Sequence, residues 1–304
     1  MIHYQCKSAI LFHLFNRLDV SRRVLKVIKK VRPNKLYLSI DGPRNKEDII
    51  KILSIKKFLK KQINWNCKVI RLYNKLNLGP KFALLKSINY FFSKEERGII
   101  LEHDCLPSIS FFRYCDELLE YYKYDSRVKL ISGNFFYNKK PKDSYYFSKS
   151  PSAHGFATWK RTWKQYDLKM RTFKKFYSFF WLLLFFKFNI VKAHHFYKNF
   201  NLTKKNKIIT WDYQLVYSIW KNNGYIIKPC INLCKHIGWG KETYNGTEVD
   251  SLPEITTHEM KFPIKHPIKF FVNKDADNYD YKRLRRLFFF RYIINKIKSK
   301  LFKR

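Results

Sequence analysis

The sequence predicts an α/β chain, a mostly parallel sheet with helices on both faces, and three observations lead there. Through the first half, short apolar runs of strand length alternate four times with amphipathic stretches of helical spacing. Each apolar run breaks into a polar or turn cluster before the next helix, as buried parallel strands joined by crossover helices do. Hydrophobic residues make up 46% of the 304 positions and aromatics 18%, enough for a buried core, while 9 Gly and 10 Pro exclude a linker-rich or low-complexity chain.

Ala9 to Phe15 reads as the first strand, ending at Asn16-Arg17. Asp19 is expected to cap a helix whose apolar positions Val20, Val24, Val27, Ile28 and Val31 recur at helical spacing, and Pro33 ends it. Lys35 to Ile40 is the second strand, breaking at Asp41-Gly42-Pro43, and Glu47 to Lys60 the next helix. Cys67 to Leu72 is a third strand, Asn77-Leu78-Gly79-Pro80 a turn, and Lys81 to Phe92 a helix. Gly98 to Leu101 is a fourth strand running directly into Glu102-His103-Asp104; Pro107 is expected to open a helix through Tyr124, and Val128 to Gly133 forms a further strand. Beyond that the alternation fades into an aromatic-basic stretch, Phe173 to Phe200, then the segment Ile208 to Trp220, and Tyr225 to Gly240, which ends Lys235-His236-Ile237-Gly238-Trp239-Gly240.

With 62 Lys and Arg against 23 Asp and Glu, the formal charge is +39, which points to nucleic acid, an anionic membrane surface or polyanionic ligands. The same abundance of Lys, Asn, Ile, Phe and Tyr also follows from A/T-rich coding. Six Cys include no CxxC pair and no zinc spacing, so buried thiols in a reducing compartment are expected. The N-terminal apolar stretch is a first strand and not a signal peptide. The longest apolar run, Phe176 to Phe186, is far short of the roughly 20 residues that span a bilayer.

In parallel α/β sheets ligands bind beyond the carboxyl ends of the strands, so Asn16-Arg17, Asp41-Gly42 and Glu102-His103-Asp104 converge on one edge. A carboxylate directly after a buried strand needs compensation for its desolvation, and a divalent cation completed by phosphates and water supplies it. Asp104, with Glu102 on the same side of an extended backbone, fits Mg²⁺ or Mn²⁺; Asp104 also reads as a cap for the helix after Pro107. Arg17, Arg44 and Lys81 are candidates for diphosphate or base contacts, Arg for its fork and Lys81 for its place in the first turn of a helix. Trp159 and Trp163 suit either a sugar face or the core.

These residues, in order, resemble the glycosyltransferase A fold and within it the inverting N-acetylglucosaminyltransferase I family. Phe15-Asn16-Arg17 with Val20 to Leu25 is similar to the family's first strand and Arg-containing loop, and Leu38 to Gly42 to its second strand with a uracil-facing Asp, here Asp41. Ile100 to Asp104 followed by Pro107, Phe111-Phe112 and Tyr114 resembles the Glu-Asp-Asp metal motif and its helix. His103 stands where the family has Asp, which departs from its ribose contact; Asp104 keeps the metal position. Gly155 to Trp159 resembles the Gly-Trp segment near the acceptor, and Trp211-Asp212 the pair that carries the catalytic base. His236 lies where many enzymes of this fold supply a late His to metal or diphosphate.

The resemblance implies one glycosyltransferase A-type domain over 1–262, with a nucleotide-sugar half (1–135), an acceptor half (136–262) containing the insertion 173–200, and a basic amphipathic tail over 263–304. It implies transfer with inversion from a nucleoside diphosphate sugar, a UDP-sugar first among them, to a glycan or lipid-linked hydroxyl in bacterial surface polysaccharide or lipopolysaccharide synthesis. Asp104 and His236 would hold Mn²⁺ or Mg²⁺; Arg17, Asp41, Arg44, Lys81, Glu102 and His103 would bind the donor; Trp159 and Trp211 would face the acceptor. Asp212 would be the general base; it also reads as the N-cap of the helix through Trp220, and the two roles can coexist. The insertion and tail mix aromatics with Lys, as interfacial segments on anionic membranes do, which places the enzyme on the inner face of the membrane; helices packed on the domain with snorkelling Lys give the same pattern. The rivals are a sugar nucleotidyltransferase on the same nucleotide half and a nucleic-acid-binding module, against which stands the absence of any nucleic-acid motif.

Overall fold

The computed structural model describes residues 4–139, 141–150, 152–238 and 256–286. The elements run β1 (Ile10–Leu14), α1 (Leu18–Val31), β2 (Lys35–Ile40), α2 (Lys46–Gln62), β3 (Lys68–Tyr73), α3 (Gly79–Lys94), β4 (Arg97–Glu102), β5 (Cys105–Pro107), α4 (Ile109–Tyr121) and β6 (Val128–Ser132). There follow β7 (Tyr145–Ser148), β8 (Phe156–Trp159), α5 (Lys160–Trp163), α6 (Lys175–Phe185), α7 (Ile190–Lys204), α8 (Asp212–Lys221), β9 (Tyr225–Pro229) and β10 (Cys234–His236). Residues 274–286 are helical.

Eight strands form one sheet in the order β3-β2-β1-β4-β8-β6-β9-β7, and β5 and β10 make a separate antiparallel pair. Only β8 and β7 oppose the common direction, so the expected mostly parallel α/β sheet is what the chain adopts. The continuous apolar run of β1 reflects burial on both faces. Ile10, Phe12 and Leu14 pack with Val24 and Ile28 of α1 and Phe111 of α4, whereas Leu11 faces Leu84, Ile88 and Phe91 of α3 on the other side. Each such side chain contributes roughly 1.5–3 kcal/mol of hydrophobic stabilisation. His13 is the polar member of that run; its Nδ1 lies 3.0 Å from Ser39 Oγ, and burial lowers its pKa to about 3, so it is neutral.

Three details differ from expectation. Arg17 is the N-cap of α1 and makes no side-chain capping bond, so Asp19 lies in the first turn, where its charge complements the helix dipole. Pro107 belongs to β5, and α4 begins two residues later because the chain first pairs with β10. The amide donors that open α4 are taken by a distant residue: both oxygens of Glu259 accept from Ile109 N (2.9 Å) and Ser110 N (2.7 Å).

The boundary expected at 262/263 is no break in packing. Asp277 accepts from Ser148 Oγ at 2.5 Å and Lys149 N at 2.9 Å, and Asp280 forms a fully buried ion pair with Lys228 of β9. Residues 263–286 thus make buried contacts with the sheet edge across that expected boundary. The rest of the expected tail, with its face of Phe290, Ile293, Ile294, Ile297 and Leu301, lies outside the described residues.

Candidate active site at the carboxyl edge of the sheet

β4 ends at Glu102, beside His13 of β1, and the chain then turns through His103 and Asp104 into β5. Antiparallel pairing of β5 with β10 sets Cys105 opposite His236, and the Ile237 amide donates to the Asp104 carbonyl at 2.8 Å. That pairing brings His236 Nε2 within 3.2 Å of Asp104 Oδ2. Asn134, buried after β6, holds β10 in place by donating to the Cys234 carbonyl at 2.8 Å.

Gly238 closes the constellation. Arg17 donates through Nη1 to its carbonyl at 2.7 Å, and a Cβ built on it would lie 2.4 Å from Asp104 Oδ2 and 2.7 Å from Asp104 Cβ. Only a residue without a side chain lets this backbone lie against Asp104. Burial opposes ionisation of Asp104, but His103, His236 and His154 hold its carboxyl well below the ordinary range. Glu102 moves the other way, to about 8, through burial and then the charges of Asp104 and Asp212. Burial lowers the pKa of His103, and burial followed by His236 lowers that of His154 to about 4.

Asp212 reaches the same edge from the opposite direction. Because α8 runs back to feed β9, its N terminus stands at the carboxyl edge of the sheet, and Asp212 is its exposed first residue. Its Oδ1 accepts from the Tyr213 amide at 2.7 Å and from the Thr210 hydroxyl, leaving Oδ2 without a protein donor among the described residues. Trp211 is almost buried and stacks on Phe156, 5.7 Å between centroids, while Tyr166 donates to its carbonyl at 3.1 Å. It thereby fixes the start of α8 and presents little open face.

Other expected residues are placed differently. Asp41 is buried, and its two oxygens accept from Asn74, Asn77 and the amides of Gly42, Leu78 and Gly79 at 2.9–3.2 Å, so its accepting capacity shapes the loop between β3 and α3. Arg44 forks onto Asp48, at 2.7 Å from Nε and 3.2 Å from Nη2, and lies over the Phe15 ring at 4.8 Å. Its Nε and Nη2 are thus engaged by Asp48, while the side chain stays half exposed. Trp159 pairs in register with Arg97 at the far end of β4, and its Nε1 donates to the Leu119 carbonyl at 3.2 Å. Five residues of β4 separate that register from Glu102, roughly 17 Å, so Trp159 is a core residue at the opposite end; Trp163, nearby in α5, is buried too.

Lys81 is buried in the first turn of α3, makes no hydrogen bond or ion pair among the described residues, and has its pKa lowered by burial. An ammonium so placed favours an anion at the helix N terminus. His154 and Gly238 escaped the sequence reading. The clue to His154 was its neighbour Gly155, whose φ of +69° and close approach to Cys234 Sγ mark a crowded turn entering β8. A cavity of about 360 Å³ between α2 and β3, lined by Leu38, Lys56, Leu59 and Arg71 among others, includes none of these residues.

The donor set suits a hard or borderline cation. One carboxylate oxygen and one imidazole nitrogen 3.2 Å apart match two adjacent ligands on one ion with bonds of roughly 2.0–2.2 Å. Among the described residues, buried His103 Nδ1 and Arg17 Nε find no hydrogen-bond partner, so both can still donate or accept at this edge. Among the described residues no group of three or more His, Cys, Asp or Glu side chains is arranged to hold a metal, so most ligands of such an ion would come from substrate and water.

No protein-family model matches the chain, and no curated protein sequence matches it. Solved structures similar to it include the mannosyltransferase PcManGT from Pyrobaculum calidifontis in complex with GDP-Man and Mn²⁺, at 12% identity and a TM-score of 0.36, covering 53% of this chain and 47% of that one. Another is TarS residues 1–349 from S. aureus, at 10% identity and a TM-score of 0.37, covering 53% and 49%. The likeness thus spans about half the length of each chain, and the chemistry rests on the residues at the sheet edge.

Proposed function

We propose that this chain is a glycosyltransferase of the glycosyltransferase A type that moves a sugar, with inversion, from a nucleoside diphosphate sugar to a hydroxyl of a glycan or lipid-linked acceptor. The observation that carries the reading is the Asp104–His236 pair on the same sheet edge as the exposed carboxylate of Asp212. Asp104 and His236 would hold Mn²⁺ or Mg²⁺, whose charge stabilises a departing diphosphate. Arg17 orients the Gly238 backbone beside that pair, and Lys81 offers a buried positive charge to phosphate oxygens.

Asp212 accepts the acceptor hydroxyl proton at Oδ2, the oxygen left open by its local hydrogen bonds, and the deprotonating oxygen attacks the anomeric carbon opposite the leaving diphosphate. Inversion follows from that single displacement. A UDP-sugar donor and a role in surface polysaccharide or lipopolysaccharide assembly belong to the same reading. No helix among the described residues is long and apolar enough to cross a membrane.

The test is a transfer assay over UDP-, GDP-, CMP- and TDP-sugars with Mn²⁺, with two variants. Asp212→Asn should keep donor binding and lose transfer by about 10²–10⁴-fold, and Asp104→Ala should lose cation-dependent binding of nucleoside diphosphate. Near wild-type transfer by Asp212→Asn removes the base. Turnover of nucleoside triphosphate with sugar phosphate, and none of any nucleotide sugar, replaces the reading with a nucleotidyltransferase.

A further inference from the structure

Helix α6 carries the largest run of exposed aromatic surface among the described residues. Phe176, Phe180 and Leu184 recur every fourth residue, with Tyr177 beside them, and Phe176 and Tyr177 are 78% and 75% exposed. The opposite face of the helix, Ser178 and Leu182, is buried, so the exposed stripe is one side of a helix already seated on the body. Phe188, Ile190 and Val191 extend the exposed surface into the turn and the start of α7. Lys187 and Phe188 both have positive φ, 51° and 63°, an unfavourable turn for bulky residues that here leaves Phe188 in solvent.

Charge identifies what covers this face. Between Asp167 and Asp212 lie forty-four residues without one Asp or Glu and with ten Lys or Arg. Exposed Lys174 and Lys187 bracket the stripe at its two ends. A two-fold contact between copies would set these cations against themselves with no acid in the segment to meet them. A groove for nucleic acid is a poor match as well, because the exposed side chains form a convex helix surface and include Leu184, Ile190 and Val191, which stack on no base. Apolar side chains on one side with Lys at the margins describe a helix lying in the headgroup region of an anionic bilayer. The eleven residues of α6 rise about 16 Å, enough to lie along the interface and too short to span it.

We propose that α6 and the turn after it dock this protein on an anionic lipid surface, with Phe176, Phe180, Leu184 and Phe188 inserted at the acyl boundary and Lys174 and Lys187 on the headgroups.

Vesicle co-sedimentation of the full chain tests this without donor or acceptor, so its outcome is separate from that of the transfer reaction. The protein is expected to pellet with vesicles of phosphatidylcholine containing about one-third phosphatidylglycerol and to partition at least tenfold less onto phosphatidylcholine alone. Phe180→Ser/Leu184→Ser should lower partition onto the anionic vesicles by about tenfold or more; because these side chains are half exposed, the unfolding midpoint should fall by no more than a few degrees, and Phe176→Ser/Tyr177→Ser, at positions 78% and 75% exposed, should give the same loss of partition with a smaller shift. Lys174→Gln/Lys187→Gln should weaken binding and flatten its salt dependence. The proposal is overturned if the wild type stays in the supernatant, if the stripe variant pellets like wild type, or if single-stranded oligonucleotide is bound through the same stripe residues in preference to vesicles. A concentration-dependent dimer abolished by the stripe variant would assign the face to a second copy instead.

Discussion

The guanidinium of Arg17 and the carbonyl of Gly238 are joined by a 2.7 Å hydrogen bond that ties the end of β1 to the strand carrying His236. The same glycine lies so close to Asp104 that an added Cβ would meet Oδ2 at 2.4 Å. Gly238→Ala should therefore push the backbone away from Asp104 and lengthen the Asp104–His236 contact. The expected result is at least about a tenfold loss of cation-dependent nucleoside diphosphate affinity, read by isothermal titration. The unfolding midpoint should fall by only a few degrees, since a surface-edge loop absorbs the shift.

Glu259 caps α4 from a segment far along the chain, so Asp104 is not needed for that task and faces His236. Glu259→Ala leaves two amides at a helix start without their acceptor. It should cost about 0.5–2 kcal/mol in urea unfolding, and Glu259→Gln, which retains an acceptor but not the charge, should recover part of it.

Much of the fold was legible in particular residues. Lys35 to Ile40 is a strand with the expected bounds because an alternating β-forming run lies between Pro33 and Asp41-Gly42. The pair β5 and β10 was not legible, since three-residue strands carry no periodicity and their register depends on residues far apart in the chain. Nothing in Cys105 or His236 announces that they lie opposite one another, so only the family resemblance, and no periodicity, set Asp104 and His236 on one metal. Trp159 failed for a related reason. The four residues of β8 reveal no direction, and its antiparallel insertion puts Gly155 at the site edge and Trp159 at the far end. Asp41 and Arg44 stand after a strand, as ligand contacts do, yet loop amides take up Asp41 and Asp48 holds one side of Arg44, and composition gives no sign of such internal partners.

Asp48 supplies a pH prediction. Its fork with Arg44 is the largest influence and, against the cost of burial and with help from Asn16 and the Arg44 amide, lowers its pKa from 3.8 to about 2. A folded-state pKa below the unfolded one means the carboxylate stabilises fully above about pH 4 and loses that contribution as pH falls through about 2. With a side chain only 3% exposed, the contribution is about 2 kcal/mol at neutral pH, before discount for the half-exposed Arg44. The stability difference between wild type and Asp48→Asn, measured by urea unfolding at a series of pH values, should narrow between about pH 4 and pH 2. A constant difference would show that the pair contributes nothing electrostatic.

The buried pair of Lys228 and Asp280 makes the last prediction, because it decides whether the segment after residue 262 is part of the folding unit. The two side chains are 1% and 4% exposed, and Asp280 Oδ1 finds no partner among the described residues, so the contacts described recover the pair's desolvation cost only incompletely. Asp280→Ala strands a lysine among β9, Phe136 and the helical residues 274–286, and should cost about 3–5 kcal/mol. Replacing both, as Lys228→Met/Asp280→Leu, removes the charges together and should restore most of that loss, since apolar side chains of similar volume need no partner. If residues 263–286 were only a tail, Asp280→Ala would leave urea unfolding unchanged. A large single-variant loss with recovery in the double variant instead requires that the edge of the sheet and the C-terminal helix fold as one cooperative unit.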